Sequence, residues 1–128
     1  MQVVILAGGV GSRMRSQAPA LPKSLIEVND RPFIEYQFNL LAAQGLKDIL
    51  LCTGHRGHLI EKHVGDGRQW RVDVCYSRED PGRLLGTGGA IVNALPMLQD
   101  AFFTLYGDSY LPTDYSAMVH EFERSRDA

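Results

Sequence analysis

Apolar residues fall along this chain in two alternating rhythms. Val3-Val4-Ile5-Leu6 is an unbroken apolar run that enters Ala7-Gly8-Gly9. Such a run predicts a strand covered on both faces. A second strand is predicted over Lys47 to Thr53, around Asp48-Ile49-Leu50-Leu51-Cys52 and ahead of Gly54. A third is expected where Trp70 to Tyr76 alternates, and a fourth from Ala101 to Tyr106, again ahead of a glycine. Between them the period lengthens. Phe33, Ile34, Tyr36, Phe38, Leu40 and Leu41 form one helical face, with Pro32 suited to a first turn and Gly45 to a stop. Further helices are predicted over Gly57 to Val64 and over Gly88 to Leu95, the latter ended by Pro96. A fourth would be capped by Asp114, with Tyr115, Met118, Val119 and Phe122 on one face. Leu25 to Val28 reads as a minor strand turning at Asn29-Asp30.

Strand and helix units repeated with short connections predict an α/β fold. The expected form is a Rossmann-like, doubly wound, mostly parallel sheet in three α/β/α layers with right-handed crossovers. No internal repeat, low-complexity tract or interdomain linker interrupts the 128 residues. The fourth helix is followed by no further strand. The expectation is therefore that residues 1–128 form the N-terminal nucleotide-binding portion of a longer, apparently truncated domain.

Composition narrows the classes. Hydrophobic residues make up 45% and charged residues 22%, which suits a folded domain. Thirteen basic and 15 acidic side chains give a net charge of −2, so no basic footprint for nucleic acid is expected. No apolar run reaches the roughly 20 residues needed to span a bilayer. The apolar start lacks a basic leader. Cys52 and Cys75 lie in apolar alternating segments without CxxC spacing, and both are expected to be free, buried thiols. These features point to the cytoplasm and to no membrane partner; self-association is left open.

The chemistry concentrates in Leu6-Ala7-Gly8-Gly9-Val10-Gly11-Ser12-Arg13-Met14-Arg15 and the delayed Pro22-Lys23. Gly8, Gly9 and Gly11 remove side chains where backbone N–H groups would approach a phosphate chain. Arg13 and Lys23 can add positive charge to the same place. The string is not a Walker loop, because GxxxxGK followed by Ser or Thr is absent. Nor is it a dinucleotide fingerprint, since Met14 stands where GxGxxG needs its third glycine. His55, His58, His63 and His120 have no metal-binding spacing.

LAGGVGSRMR with Pro22-Lys23 resembles the signature of the sugar-1-phosphate nucleotidyltransferases, or nucleotide-sugar pyrophosphorylases. Leu85-Gly86-Thr87-Gly88-Gly89-Ala90 resembles that family's second glycine turn, which lies against the nucleobase. Tyr106-Gly107-Asp108-Ser109 resembles its strand-terminal Gly-Asp. The resemblance covers nearly the whole chain and is closest to the mannose-1-phosphate and heptose-1-phosphate guanylyltransferases. It implies that Leu6, Ala7, Gly8, Gly9 and Gly11 wrap a nucleoside triphosphate, GTP by preference, with Ser12 either a phosphate hydrogen-bond donor in the same site or a helix cap. Arg13 and Lys23 would bind its phosphates, and Asp108 would hold the magnesium ion.

The implied reaction joins a sugar 1-phosphate to the α-phosphorus of the nucleoside triphosphate and releases pyrophosphate. Gly86, Thr87 and Gly88 would meet the base, and Glu79 either reads it or is a solvated loop acid. Pro81-Gly82-Arg83-Leu84 lengthens this turn beyond the family's compact form, which leaves the base contacts open. Arg15 either joins the phosphate site or faces solvent. Tyr110 and Asp114 either touch sugar or serve as a packing tyrosine and a helix cap. A second metal-binding aspartate and most sugar contacts are expected beyond Ala128. Cytidylyl, uridylyl or thymidylyl transfer and a non-catalytic nucleotide-binding module both stay open.

Overall fold

The computed structural model describes residues 1–8, 21–54, 56–80, 86–110 and 112–126. Its elements run β1 (Gln2–Ala7), β2 (Glu27–Val28), β3 (Arg31–Pro32), α1 (Phe33–Ala43), β4 (Asp48–Thr53), α2 (Gly57–Val64), β5 (Asp73–Arg78), α3 (Gly86–Asn93), β6 (Phe102–Tyr106) and α4 (Tyr115–Arg126). Four of the strands form one sheet in the order β5-β4-β1-β6. All three pairings in it are parallel, with Leu6 opposite Cys52 on one side and Tyr106 on the other.

The predicted α/β architecture is observed, and alternation along β1 shows why it has three layers. Val3, Ile5 and Ala7 face a core built with Ile34, Phe38 and Leu41 of α1, Ile60 and Val64 of α2, and Tyr115 of α4. Val4 turns to the other face and packs with Leu50, Cys52, Ala90 and Ala94, under α3. Chain direction explains the division. The sheet grows one way from β1 through β4 to β5, then must return across to β6. With crossovers of one hand, that reversal requires the connecting helix α3 to lie on the opposite face. The switch in direction opens a crevice between the carboxyl ends of β1 and β6, where ligands of open α/β sheets bind.

Several boundaries move. Trp70 lies in a 3-10 turn over Arg68–Trp70, and β5 starts only at Asp73. Left-handed backbone at Gly67 (φ +80°) and Arg71 (φ +64°) closes that turn before the extended run begins. A side chain at Gly67 would come within 2.5 Å of Val74 Cγ2, so the tight turn depends on glycine. α3 begins two residues earlier than predicted, and Pro96 sits inside a following 3-10 turn over Leu95–Met97. Glu27–Val28 pairs antiparallel with Arg31–Pro32 across Asn29 and Asp30, whose φ values of +51° and +65° make a two-residue hairpin turn. Asp114 does cap α4, its Oδ1 accepting from the Ala117 N–H at 2.9 Å.

Two expectations about burial need correcting. Cys52 is a buried free thiol, but Cys75 is exposed, because β5 is an edge strand and Cys75 lies on its open face. On α4 the predicted apolar face is only partly used. Tyr115 is buried, whereas Met118 and Phe122 remain 47% and 45% exposed.

Candidate functional site

β1 ends at Ala7 and delivers Gly8; β6 ends at Tyr106 and delivers Gly107 and Asp108. The two ends are tied together, since the Gly107 N–H donates to Leu6 O at 2.9 Å. Lys23 arrives from a separate 3-10 turn, Lys23–Leu25, anchored by buried Ser24 and Leu25. Its Nζ donates to Asp108 Oδ2 at 3.2 Å. The Ser24 hydroxyl beside it donates to Gly107 O at 3.2 Å.

On the other side of β1 the strand ends form a shelf of bare backbone. The Glu79 N–H donates to Thr53 O at 2.8 Å, which continues the ladder of β5 on β4. Its carboxylate turns inward and is buried, with 7% exposure. A Cβ at Gly8 would lie 3.3 Å from Glu79 Oε1, and a Cβ at Gly54 would lie 3.0 Å from Gly8 O. Glycine at 8 and 54 thus relieves tight contacts with the Glu79 carboxylate and the Gly8 backbone and lets the three residues approach closely. The reading of Glu79 as a solvated loop acid is overturned by this burial. Beneath the shelf, burial pushes the Cys52 thiol up to about 11, with the negative charge of Glu79 adding to the effect.

These pieces line one cleft of about 360 Å³. Leu6, Ala7 and Gly8 form its floor, Lys23 and Asp108 one rim, and Glu79 with Gly86 and Thr87 the other. Gly86 has φ +71° at the start of α3, a left-handed conformation that glycine adopts at little cost. Gly88 is not brought to the cleft; it is exposed, with open space around its α-carbon. Gly9, Gly11, Ser12, Arg13, Arg15 and the turn 81–85 lie outside the described residues, as does His55. His58 is exposed and His63 pairs with Glu35 at 2.8 Å, away from the cleft. Tyr110 packs edge-on against Tyr36, with 6.5 Å between ring centroids.

Ser24 and Gln37 were not singled out from the sequence. The signal for Gln37 was present, as a polar residue inside the apolar stripe of α1 between Ile34 and Leu41. Ser24 had no comparable mark beyond following Lys23.

The cleft thus sits at the switch point of a parallel sheet and combines a backbone shelf, a lysine and a carboxylate. D-glycero-alpha-D-manno-heptose 1-phosphate guanylyltransferase of Campylobacter jejuni is 34% identical over 118 residues, which cover 92% of this chain and 52% of that protein. N-acetylmuramate alpha-1-phosphate uridylyltransferase of Neisseria meningitidis is 36% identical over 118 residues, covering 91% and 51%. The structure of HddC from Yersinia pseudotuberculosis complexed with GMP-PN superposes with a TM-score of 0.80 at 32% identity, covering 94% of this chain and 53% of that one. The chain thus spans about half the length of the curated relatives it matches. Residues 2–128 match the profile of the family described as Nucleotidyl transferase, and with the fold and the relatives in agreement the chain belongs to that family.

Proposed function

We propose that this chain forms the nucleotide-binding side of a sugar-1-phosphate nucleotidyltransferase site, with GTP as its nucleoside triphosphate and mannose 1-phosphate or heptose 1-phosphate as the acceptor. The observation that carries the reading is the convergence of Lys23, Asp108, Gly8 and Gly86 on one cleft at the crevice between β1 and β6. Guanine is favoured by the relatives that are heptose 1-phosphate guanylyltransferases and by the HddC complex with GMP-PN. The uridylyltransferase at 36% identity is the reason base choice needs measurement. We assign the sugar-contacting side of the reaction to the part of the relatives' length that this chain does not span. The free thiols Cys52 and Cys75 suit the cytoplasm, where this reaction's substrates would be met. No described helix is long and apolar enough to cross a membrane.

The work of the site is alignment and charge neutralisation. A sugar-phosphate oxygen is already an anion and attacks the α-phosphorus without a general base; the bond to the β-phosphate oxygen breaks and pyrophosphate leaves. The bare backbone at Gly8 lets the triphosphate approach closely, and Lys23 offers three N–H donors to its oxygens. Arg13, on the same loop in sequence, is assigned a second phosphate contact. Positive groups fixed in advance at the phosphates stabilise the charge that moves onto pyrophosphate. Glu79, held against Gly8, is assigned to the base side with Gly86 and Thr87.

Asp108 is assigned to magnesium. Its side chain is 49% exposed at the cleft rim and offers hard oxygens. Among the described residues no three His, Cys, Asp or Glu side chains gather. This donor set fits a magnesium ion held jointly by one carboxylate, phosphate oxygens and water, rather than by an all-protein cage. Bound there, the ion would neutralise phosphate charge. Calorimetric titration with GTP, CTP, UTP, dTTP and ATP in magnesium is the test. GTP should bind most tightly; equal affinity for all five removes the guanine assignment, and no binding of any removes the reading.

A further inference from the structure

The turn that carries Asp108 is held by two buried side chains, Gln37 on α1 and Ser24 beside Lys23. Gln37 lies on α1 with 2% exposure. Its Nε2 donates to Tyr106 O at 2.9 Å and to Ser109 O at 2.7 Å. Ser24, 1% exposed, donates its hydroxyl to Gly107 O at 3.2 Å. Three backbone carbonyls flanking Asp108 are therefore fixed by donors from two other elements. The turn contributes a weaker bond of its own, from Ser109 N–H to Tyr106 O at 3.2 Å.

The amide orientation of Gln37 follows from its surroundings. Two carbonyl oxygens converge on one end of the side chain, and only the NH₂ group can meet both. The consequence is costly at the other end. Gln37 Oε1 is buried with no hydrogen-bond partner among the described residues. An unsatisfied buried acceptor keeps the full penalty of its lost hydration. The flanking positions Ile34, Phe38 and Leu41 are fully packed apolar residues, so Gln37 is a polar side chain set into an apolar stripe. A glutamine that leaves its oxygen unpaired is explained by what its two N–H groups hold.

We propose that Gln37, assisted by Ser24, is a positioning residue that fixes the Tyr106–Ser109 turn and thereby sets the place of the Asp108 carboxylate at the triphosphate. The inference rests on the reading of Asp108 as a shared magnesium ligand. Groups that orient a metal ligand from behind typically contribute about 10–100-fold to metal affinity. The coupling runs through backbone: freeing the carbonyls of Tyr106 and Ser109 lets the intervening peptide units rotate, and Asp108 swings with them.

The experiment combines hydrogen exchange with nucleotide titration on the full chain, using Gln37→Leu and, separately, Ser24→Ala in case the first variant folds poorly. In Gln37→Leu the amides at 107–109 should exchange faster by about tenfold or more, while those of β1 and β4 stay slow, as expected for local opening. The gain in GTP affinity that magnesium gives should fall about tenfold, while affinity in EDTA stays within about twofold. Ser24→Ala should show the same pattern, more weakly. Unchanged exchange at 107–109 and an unchanged magnesium gain in both variants would overturn the inference while leaving the nucleotide site standing. Absence of any magnesium gain in the unaltered protein would overturn the metal assignment itself, and the inference with it.

Discussion

Lys23 Nζ stands 3.2 Å from Asp108 Oδ2, joining the two charged groups proposed to meet phosphate and magnesium. Their side chains are 32% and 49% exposed, so the pair adds little to folding, about 0–1 kcal/mol. In the proposed site its importance lies in ligand binding. Each group partly neutralises the other, and phosphate and magnesium would compete for them. Asp108→Asn should therefore bind GTP more tightly than the unaltered protein in EDTA, because Lys23 is released and a negative charge is gone. In magnesium the same variant should lose the gain that the metal gives. Lys23→Ala should weaken triphosphate binding about tenfold or more in either condition, the scale of one lost charge-assisted hydrogen bond. Calorimetry in the two buffers checks all three signs; an Asp108→Asn affinity that responds to magnesium as the unaltered protein does would remove Asp108 from the metal.

Gly107→Ala probes the seam between β6 and β1. A Cβ there would lie 2.8 Å from Ser24 Oγ, 3.0 Å from Leu6 O and 3.2 Å from Ala7 Cα. Ser24 could rotate away, but the β1 backbone cannot, being hydrogen-bonded and buried. The variant should lose about 1–3 kcal/mol of stability, as overpacking does. Adding Ser24→Gly should restore only part of it, because the Leu6 and Ala7 contacts remain. Urea denaturation of the single and double variants measures this; full recovery in the double variant would mean the β1 contact is harmless.

The two cysteines should separate by accessibility. Cys52 is 1% exposed and its thiol is pushed up to about 11, whereas Cys75 is exposed on β5. A disulfide reagent such as DTNB at neutral pH should titrate one thiol quickly in the native protein and two in denaturant, since thiolate fraction and access both govern the rate. The same burial has a pH consequence. In the unfolded chain Cys52 ionises near its ordinary value of 9.0, so its contribution is full below that and declines as pH rises towards 11. Cys52→Ala should therefore narrow its stability gap with the unaltered protein between pH 9 and 11. Two fast native thiols would contradict the buried position of Cys52.

Much of the fold was legible because its signals are local. The apolar runs at Val3 to Leu6 and Ile49 to Cys52 marked strands covered on both faces, and Gly57 to Val64 has the helix bounds expected of it. The start of β5 was misplaced because Trp70 and Val72 alternate as a strand would. The left-handed backbone at Gly67 and Arg71 that holds them in a turn leaves no such trace in the side-chain pattern. Exposure of Cys75 was missed for a related reason: alternation gives the two faces of a strand, not which face an edge strand leaves open.

For the site, the residue types were readable and their meeting was not. Glycines at 8 and 86, Lys23 and Asp108 were marked by chemistry and spacing along the chain. That Asp108 stands beside Gly8 follows from strand order, because β1 is inserted between β4 and β6. Glu79 was ambiguous until β5 docked beside β4 and carried its carboxylate under Gly8 and Gly54. Gln37 looked like an interruption of an apolar stripe until the Tyr106 and Ser109 carbonyls were placed over it. Side-chain periodicity by itself determined the elements and the chemistry available to them. Long-range parallel pairing and packing decided which groups met, because hydrogen bonds between strands distant in sequence are not encoded in either strand alone.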